Sequence, residues 1–165
     1  MYKRQIHNPP IRGLTLAVKE PIGVVANILN DDFPLLSLIT ILGANFAAGN
    51  ARIIVPGQNT SLLATELYQL LETSDVPAGY INILTTKQNS LNKILSEHEN
   101  IDGIWFFSEN NNERLKVIQS TTSNLKRTWC PQSKNLDWSS KEEYFLEEFL
   151  YQSTQVKNIW IPYGE

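Results

Sequence analysis

The chain has 165 residues, enough for one domain with a genuine core, and its 42% hydrophobic and 19% charged content is that of a folded globular protein. A net charge of -3 and a pI near 5.4 argue against nucleic acid or an anionic membrane surface as the main partner. One cysteine excludes an internal disulfide, two histidines leave no basis for a structural zinc site, and neither a leader nor an apolar run of the ~20 residues needed to span a bilayer is visible. A cytoplasmic location is therefore expected.

In chain order, residues 1–10 read as an N-terminal extension. Residues 11–20 (IRGLTLAVKE) alternate: Leu14, Leu16 and Val18 interleave with Thr15, Ala17 and Lys19, the pattern of a half-buried strand that Pro21 interrupts. Ile22 to Leu29 is a continuous apolar run, as in a strand covered on both faces. Pro34 opens a helix whose stripe is expected to be Leu35, Leu38, Ile39, Leu42 and Phe46, closed by Gly49-Asn50 as a left-handed cap. Arg52 to Val55 is a short buried strand. Thr60 to Glu72 is a helix with Leu62, Leu63, Leu67, Leu70 and Leu71 as its stripe.

Tyr80 to Leu84 and Gly103 to Phe107 are further strands, and Leu91 to Glu97 and Glu113 to Thr121 further helices. Asn110 and Glu113 have capping-box spacing at the start of the latter. Strands alternating with helices across short turns predict an α/β fold: a Rossmann-like, mostly parallel doubly wound sheet with helices on both faces, occupying residues 21–130. Residues 131–152 form a loop and a helix, with Tyr144, Phe145, Phe149 and Leu150 as its buried face and Glu142, Glu143, Glu147 and Glu148 as its solvated one. Residues 153–165 contain a strand, TQVKNIWI, with apolar groups on both faces. It needs a neighbour, either the strand near Leu14 or another chain.

EPIGVV (Glu20 to Val25), DFPLL (Asp32 to Leu36), FAAGN (Phe46 to Asn50), DVPAGYINIL (Asp75 to Leu84) and HENID (His98 to Asp102) follow one another at a characteristic spacing. In these segments the chain resembles the aldehyde dehydrogenase superfamily. It is most similar to the degenerate second unit of the two-part, sixteenth-family enzymes, through HNPPIRG near the start and LKRTW followed by LDW. The resemblance implies an NAD(P)-binding domain and a small β-flap for oligomerisation, to which TQVKNIWIPYG corresponds.

It also locates the residues where that family's chemistry would reside. Asp32 stands at the asparagine that stabilises the oxyanion, and a carboxylate repels such a charge. Val55 replaces the lysine, and Gln58 the glutamate, that contact the cofactor ribose. Ser108-Glu109 replaces the Gly-Ser pair against which the pyrophosphate lies, so Glu109 sets a negative charge there. Pro131 falls on the general base and cannot move a proton, while Ser133 and Lys134 fall on a glycine pair. The catalytic domain that follows in the family, with its nucleophilic cysteine, is missing.

Cys130 reads as a small buried hydrophobe rather than a nucleophile, because no histidine or glutamate is placed to activate it. His98 reads as a helix-end residue, His7 gives no signal, and the four tryptophans read as core or interface aromatics. The expectation is a non-catalytic structural or oligomerisation module, without catalytic residues, metal or cofactor, and the end of a longer polypeptide. Its partner would be a catalytic aldehyde dehydrogenase unit, in cis or trans, or another copy of itself. Leu14, Leu16, Val18, Val156, Ile159 and Trp160 are the candidate interface. The alternatives are an oxidoreductase fragment that binds NAD or NADP, and a truncated reading frame without independent function.

Overall fold

The computed structural model describes residues 13–132, 136–140 and 142–162. The expectations for residues 1–12, His7, Ser133 and Lys134 lie outside these. The elements run β1 (Gly13–Pro21), β2 (Val24–Ile28), α1 (Pro34–Ala48), β3 (Ala51–Val55), α2 (Ser61–Glu72), β4 (Ile81–Ile83), α3 (Gln88–Glu97), β5 (Gly103–Phe106), α4 (Asn111–Ser120), a 3-10 turn (Thr121–Asn124), β6 (Arg127–Trp129), α5 (Glu143–Gln152) and β7 (Thr154–Pro162).

Five strands form one wholly parallel sheet in the order β4-β3-β2-β5-β6. The strand order reverses between β2 and β5, which opens a crevice at their C-terminal ends. Alternation along the strands sorts the core into two layers. Val25, Ile54, Ile81, Trp105 and Phe107 pack beneath Leu38, Ile41 and Leu42 of α1, Leu67 of α2, and Phe145 and Phe149 of α5. Ala26, Ile28, Val55, Ile104 and Phe106 face Leu95 of α3 and Val117 of α4. Helices thus cover both faces, as the alternation of elements predicts.

The junction between β1 and β2 depends on one glycine. Gly23 has φ +127°, and a Cβ added there would lie 2.2 Å from Oδ2 of Asp102. That carboxylate accepts the Val24 amide at 2.8 Å. Close by, Asn50 Oδ1 accepts the Ile22 and Gly23 amides at 2.7 and 3.0 Å, and its Nδ2 donates to the Ser153 carbonyl at 2.7 Å. Ser153 Oγ in turn donates to Asn45 Oδ1 at 2.9 Å. The point where both flap strands leave the sheet is therefore bonded to the end of α1.

β1 and β7 pair antiparallel along their full length as a separate two-stranded ribbon. Pro21 does not break β1. It is the strand's last residue, opposite Thr154, where an edge position tolerates the missing N–H. Leu14 faces Ile161 and Leu16 faces Ile159, so Leu14, Leu16, Val18 and Ile159 share one face of the ribbon. Val156 and Trp160 lie on the other, with Trp160 78% exposed. Leu14, Leu16 and Ile159 are half-buried, while Val18 and Val156 are exposed.

Three helical stripes differ from expectation. In α1 the buried line is Ser37, Leu38, Ile41, Leu42 and Asn45, while Leu35, Ile39 and Phe46 are exposed. In α2 Ala64 and Leu67 are buried and Leu62 is 81% exposed, with Leu70 also outside. In α5 only Phe145 and Phe149 are buried, and Tyr144 and Leu150 are exposed. The cause is shared: each helix carries apolar residues on more than one side, so composition does not reveal which side meets the sheet. The glutamates Glu142, Glu143, Glu147 and Glu148 are exposed, as expected. No helix among the described residues is long and apolar enough to cross a membrane.

Candidate functional site

In an open parallel sheet, ligands bind where strand order reverses, at the carboxyl ends of the strands. Here that edge is formed by the segments after β2 (Leu29 to Phe33), after β3 (Pro56 to Thr60), after β5 (Phe107 to Asn110) and after β6 (Cys130 to Gln132). All six degenerate positions lie on β2, β3, β5 and β6 or directly beyond them, so the fold gathers Asp32, Val55, Gln58, Ser108, Glu109 and Pro131 to one edge.

Phe33 occupies the left-handed region at φ 47°, and Pro34 then starts α1. This turn exposes Asp32, whose Oδ2 accepts the Asn30 Nδ2 at 2.6 Å. Asp31 reaches across to the next segment: its Oδ1 accepts the Asn59 amide at 3.0 Å and its Oδ2 accepts the Asn59 Nδ2 at 2.9 Å. Gly57 makes room for this clasp. A Cβ there would lie 2.1 Å from Asp31 Oδ1 and 2.8 Å from the Asn30 carbonyl.

Val55 is fully buried in the layer under α3 and α4, so it points away from the edge. Gln58 is exposed, and its carbonyl accepts the Ser61 hydroxyl at 3.3 Å. Gln88, at the start of α3, closes the gap between β2 and β3: its Nε2 donates to the carbonyls of Leu29 and Pro56. No motif marked Gln88, Asp31 or Asn59 in the sequence. A cavity between these segments, α1 and α2, lined by residues including Leu29, Asn30, Leu38 and Gly57, measures about 10 Å³. That is room for roughly one water, against the ~300–1,000 Å³ of ordinary ligand pockets.

At β5 the expected capping box forms only in part. Asn110 caps α4 by accepting the Asn112 amide at 3.0 Å. Glu113 does not return to the Asn110 amide, because Ser108 intervenes: its Oγ donates to Glu113 Oε2 at 3.2 Å and accepts the Asn110 N–H at 3.1 Å. Arg114 is turned to the next strand, where its Nε donates to the Cys130 carbonyl at 3.0 Å and its Nη1 to Asn111 Oδ1 at 3.1 Å. Asp31, Asp32, Glu109 and Glu113 thus set four carboxylates along the edge.

Cys130 lies just past the end of β6 and packs against the α3/α4 layer. Burial pushes its thiol up to about 11, against the smaller opposing effects of Arg114 and a backbone hydrogen bond from Phe106. It is a thiol, not a thiolate, at neutral pH. His98 sits at the opposite edge of the sheet, after α3. Its Nδ1 accepts the Asn100 amide at 3.2 Å and its carbonyl accepts the Lys126 ammonium. Burial lowers the Lys126 ammonium, and the charges of Asp102 and Glu99 oppose that. No group of three or more histidine, cysteine, aspartate or glutamate side chains among the described residues is placed to hold a metal.

The sequence model of the aldehyde dehydrogenase family matches residues 1–131. The chain is 34% identical over 116 residues to the NADP/NAD-dependent aldehyde dehydrogenase PuuC of Escherichia coli (strain K12), covering 70% of this chain and 23% of that protein. It is 34% identical over 118 residues to the mitochondrial 10-formyltetrahydrofolate dehydrogenase of Homo sapiens, covering 72% and 13%. Among solved structures, an indole-3-acetaldehyde dehydrogenase in apo form is similar with a TM-score of 0.72 at 27% identity, over 79% of this chain and 31% of that one. A putative aldehyde dehydrogenase from Burkholderia cenocepacia is similar at 0.73 and 25%, over 79% and 26%. The chain spans less than a third of each of these relatives.

Proposed function

Since this chain belongs to the aldehyde dehydrogenase family, we propose that it serves as a non-catalytic structural module that assembles through its β1/β7 ribbon with a catalytic aldehyde dehydrogenase unit or with another copy of itself. The closure of the sheet's carboxyl edge carries this reading. A dinucleotide needs free amides, a cation and space at that edge. Here Asp31 takes the Asn59 amide, Gln88 bridges Leu29 and Pro56, Arg114 is committed to Cys130, and Val55 is turned into the core. The residues present do not fit NAD or NADP, and no step of aldehyde oxidation is assigned to them.

The ribbon supports the positive half of the proposal. A two-stranded sheet offers unpaired edges on both strands, and an isolated ribbon is marginal in water. Apolar groups occupy both of its faces, with Trp160 and Val156 on one and Val18 on the other. Size-exclusion chromatography of the chain, alone and with a catalytic aldehyde dehydrogenase unit, tests this. The expected result is self-association or co-elution that Val156→Ser/Trp160→Ser abolishes while the circular dichroism spectrum is kept. A chain that stays monomeric and never co-elutes contradicts it.

A further inference from the structure

α5 and the segment before it build a surface away from the crevice that reaches Lys19 at the foot of the ribbon. Phe145 and Phe149 turn inward, where they pack on Trp138 at ring-centroid distances of 6.2 and 5.5 Å. Outside, Tyr144 is 66% exposed, and Leu146, Leu150 and Tyr151 are exposed with it. Between α5, residues 136–140 and Lys19 of β1 lies an open groove of about 790 Å³. Leu136, Tyr144, Leu150 and Tyr151 supply its apolar surface, with the buried Phe145 and Phe149 beneath them. Among the described residues, the charged lining is three carboxylates, Asp137, Glu147 and Glu148, and the ammonium of Lys19.

Two of these carboxylates are held in place. Asp137 Oδ1 accepts the Ser139 amide and hydroxyl at 3.0 and 2.6 Å. Glu148 Oε1 accepts the Gln152 Nε2 at 2.9 Å. No residue of α5 is basic. Of the four glutamates read from the sequence as a solvated face, Glu147 and Glu148 line the groove.

We infer that this groove docks a helical segment of a protein partner, one that inserts an apolar anchor and flanks it with lysine or arginine. The apolar lining sets the need for an anchor, as in other helix-in-groove recognition. The charge selects its flanks: a cation gains both the carboxylates and the face of Tyr144, while the Tyr151 ring already carries the Arg127 guanidinium at 5.3 Å. A second copy presenting its own α5 would oppose acidic rim to acidic rim, which disfavours self-docking here.

Fluorescence anisotropy with the full chain tests this, using five-turn amphipathic peptides made of leucine and lysine or of leucine and glutamate. The leucine–lysine peptide should bind and the leucine–glutamate peptide should not. Glu147→Lys/Glu148→Lys should weaken binding roughly tenfold or more, whereas Glu66→Lys/Glu72→Lys on α2, with the same change in net charge, should leave it within about twofold. Tyr144→Ser should weaken it as well; all these side chains are exposed, so the variants keep the fold, as circular dichroism would verify. Equal losses in the α2 control, equal binding of the glutamate peptide, indifference to Tyr144→Ser, or no binding of the lysine peptide would each overturn the inference.

Discussion

Arg52 is a charge placed inside the core, and its removal is the sharpest test of how this fold is balanced. The side chain is 1% exposed, on the sheet face beneath α1. Its Nη1 donates to Asn27 Oδ1 at 3.3 Å and its guanidinium carbon lies 4.7 Å over the Trp105 ring, but Nε and Nη2 have no partner. Burial pushes the guanidinium down to about 8, with the charge of Tyr80 opposing.

Two orphaned donors cost ~2–6 kcal/mol, at roughly 1–3 each. The cation–π contact returns ~2 kcal/mol and the Asn27 bond ~1.5–3 kcal/mol. Arg52→Met alone removes the orphans but strands Asn27 Oδ1, so its effect is small, within about 1–2 kcal/mol of zero. Asn27→Leu alone leaves the cation with no acceptor and destabilises by about 1–3 kcal/mol. The double variant Asn27→Leu/Arg52→Met replaces the whole pair by apolar groups and stabilises by about 1–4 kcal/mol. Urea unfolding of the four proteins gives the cycle, and each 1 kcal/mol corresponds to roughly 2–4 °C in Tm. A double variant less stable than the parent would refute the claim that Arg52 is a net burden.

Gly57→Ala drives a methyl into the Asp31 carboxylate and should lower stability by about 1–3 kcal/mol, read from the urea midpoint. In an Asp31→Ala background part of that loss should vanish, the contact with the Asn30 carbonyl accounting for the rest; an unchanged loss means that the clasp is not its cause. Cys130 should alkylate with iodoacetamide at pH 8 on the order of 100-fold more slowly in the folded chain than in urea, since its thiol rises from 9.0 to about 11 on folding. The same shift makes the thiol's contribution to stability complete below pH 9 and lost as pH rises through about 11. Folded and unfolded rates within tenfold of each other contradict both statements.

The parallel strands were legible because Arg52 to Val55 and Gly103 to Phe107 are short buried runs between turn residues, a local signal. The α1 face was not. PLLSLITILGANFAA contains no charged residue to mark the solvent side, so spacing alone favours Ile39 for the stripe, and only the sheet shows that Ile41 is the buried one. The six positions singled out through resemblance are brought to one edge by the fold. The contacts along that edge were not legible, since Asp31 meets Asn59 across 28 residues and Gln88 meets Leu29 across 59. Glu113 had the spacing for one partner and took another, Ser108, because a hydroxyl stood nearer in space than the spacing rule could show.

The claim that this edge has been closed to a dinucleotide is most directly tested by isothermal titration of the full chain with NAD and with NADP. The account predicts no saturable heat with either one up to millimolar concentration. Saturable binding in the micromolar range would contradict it.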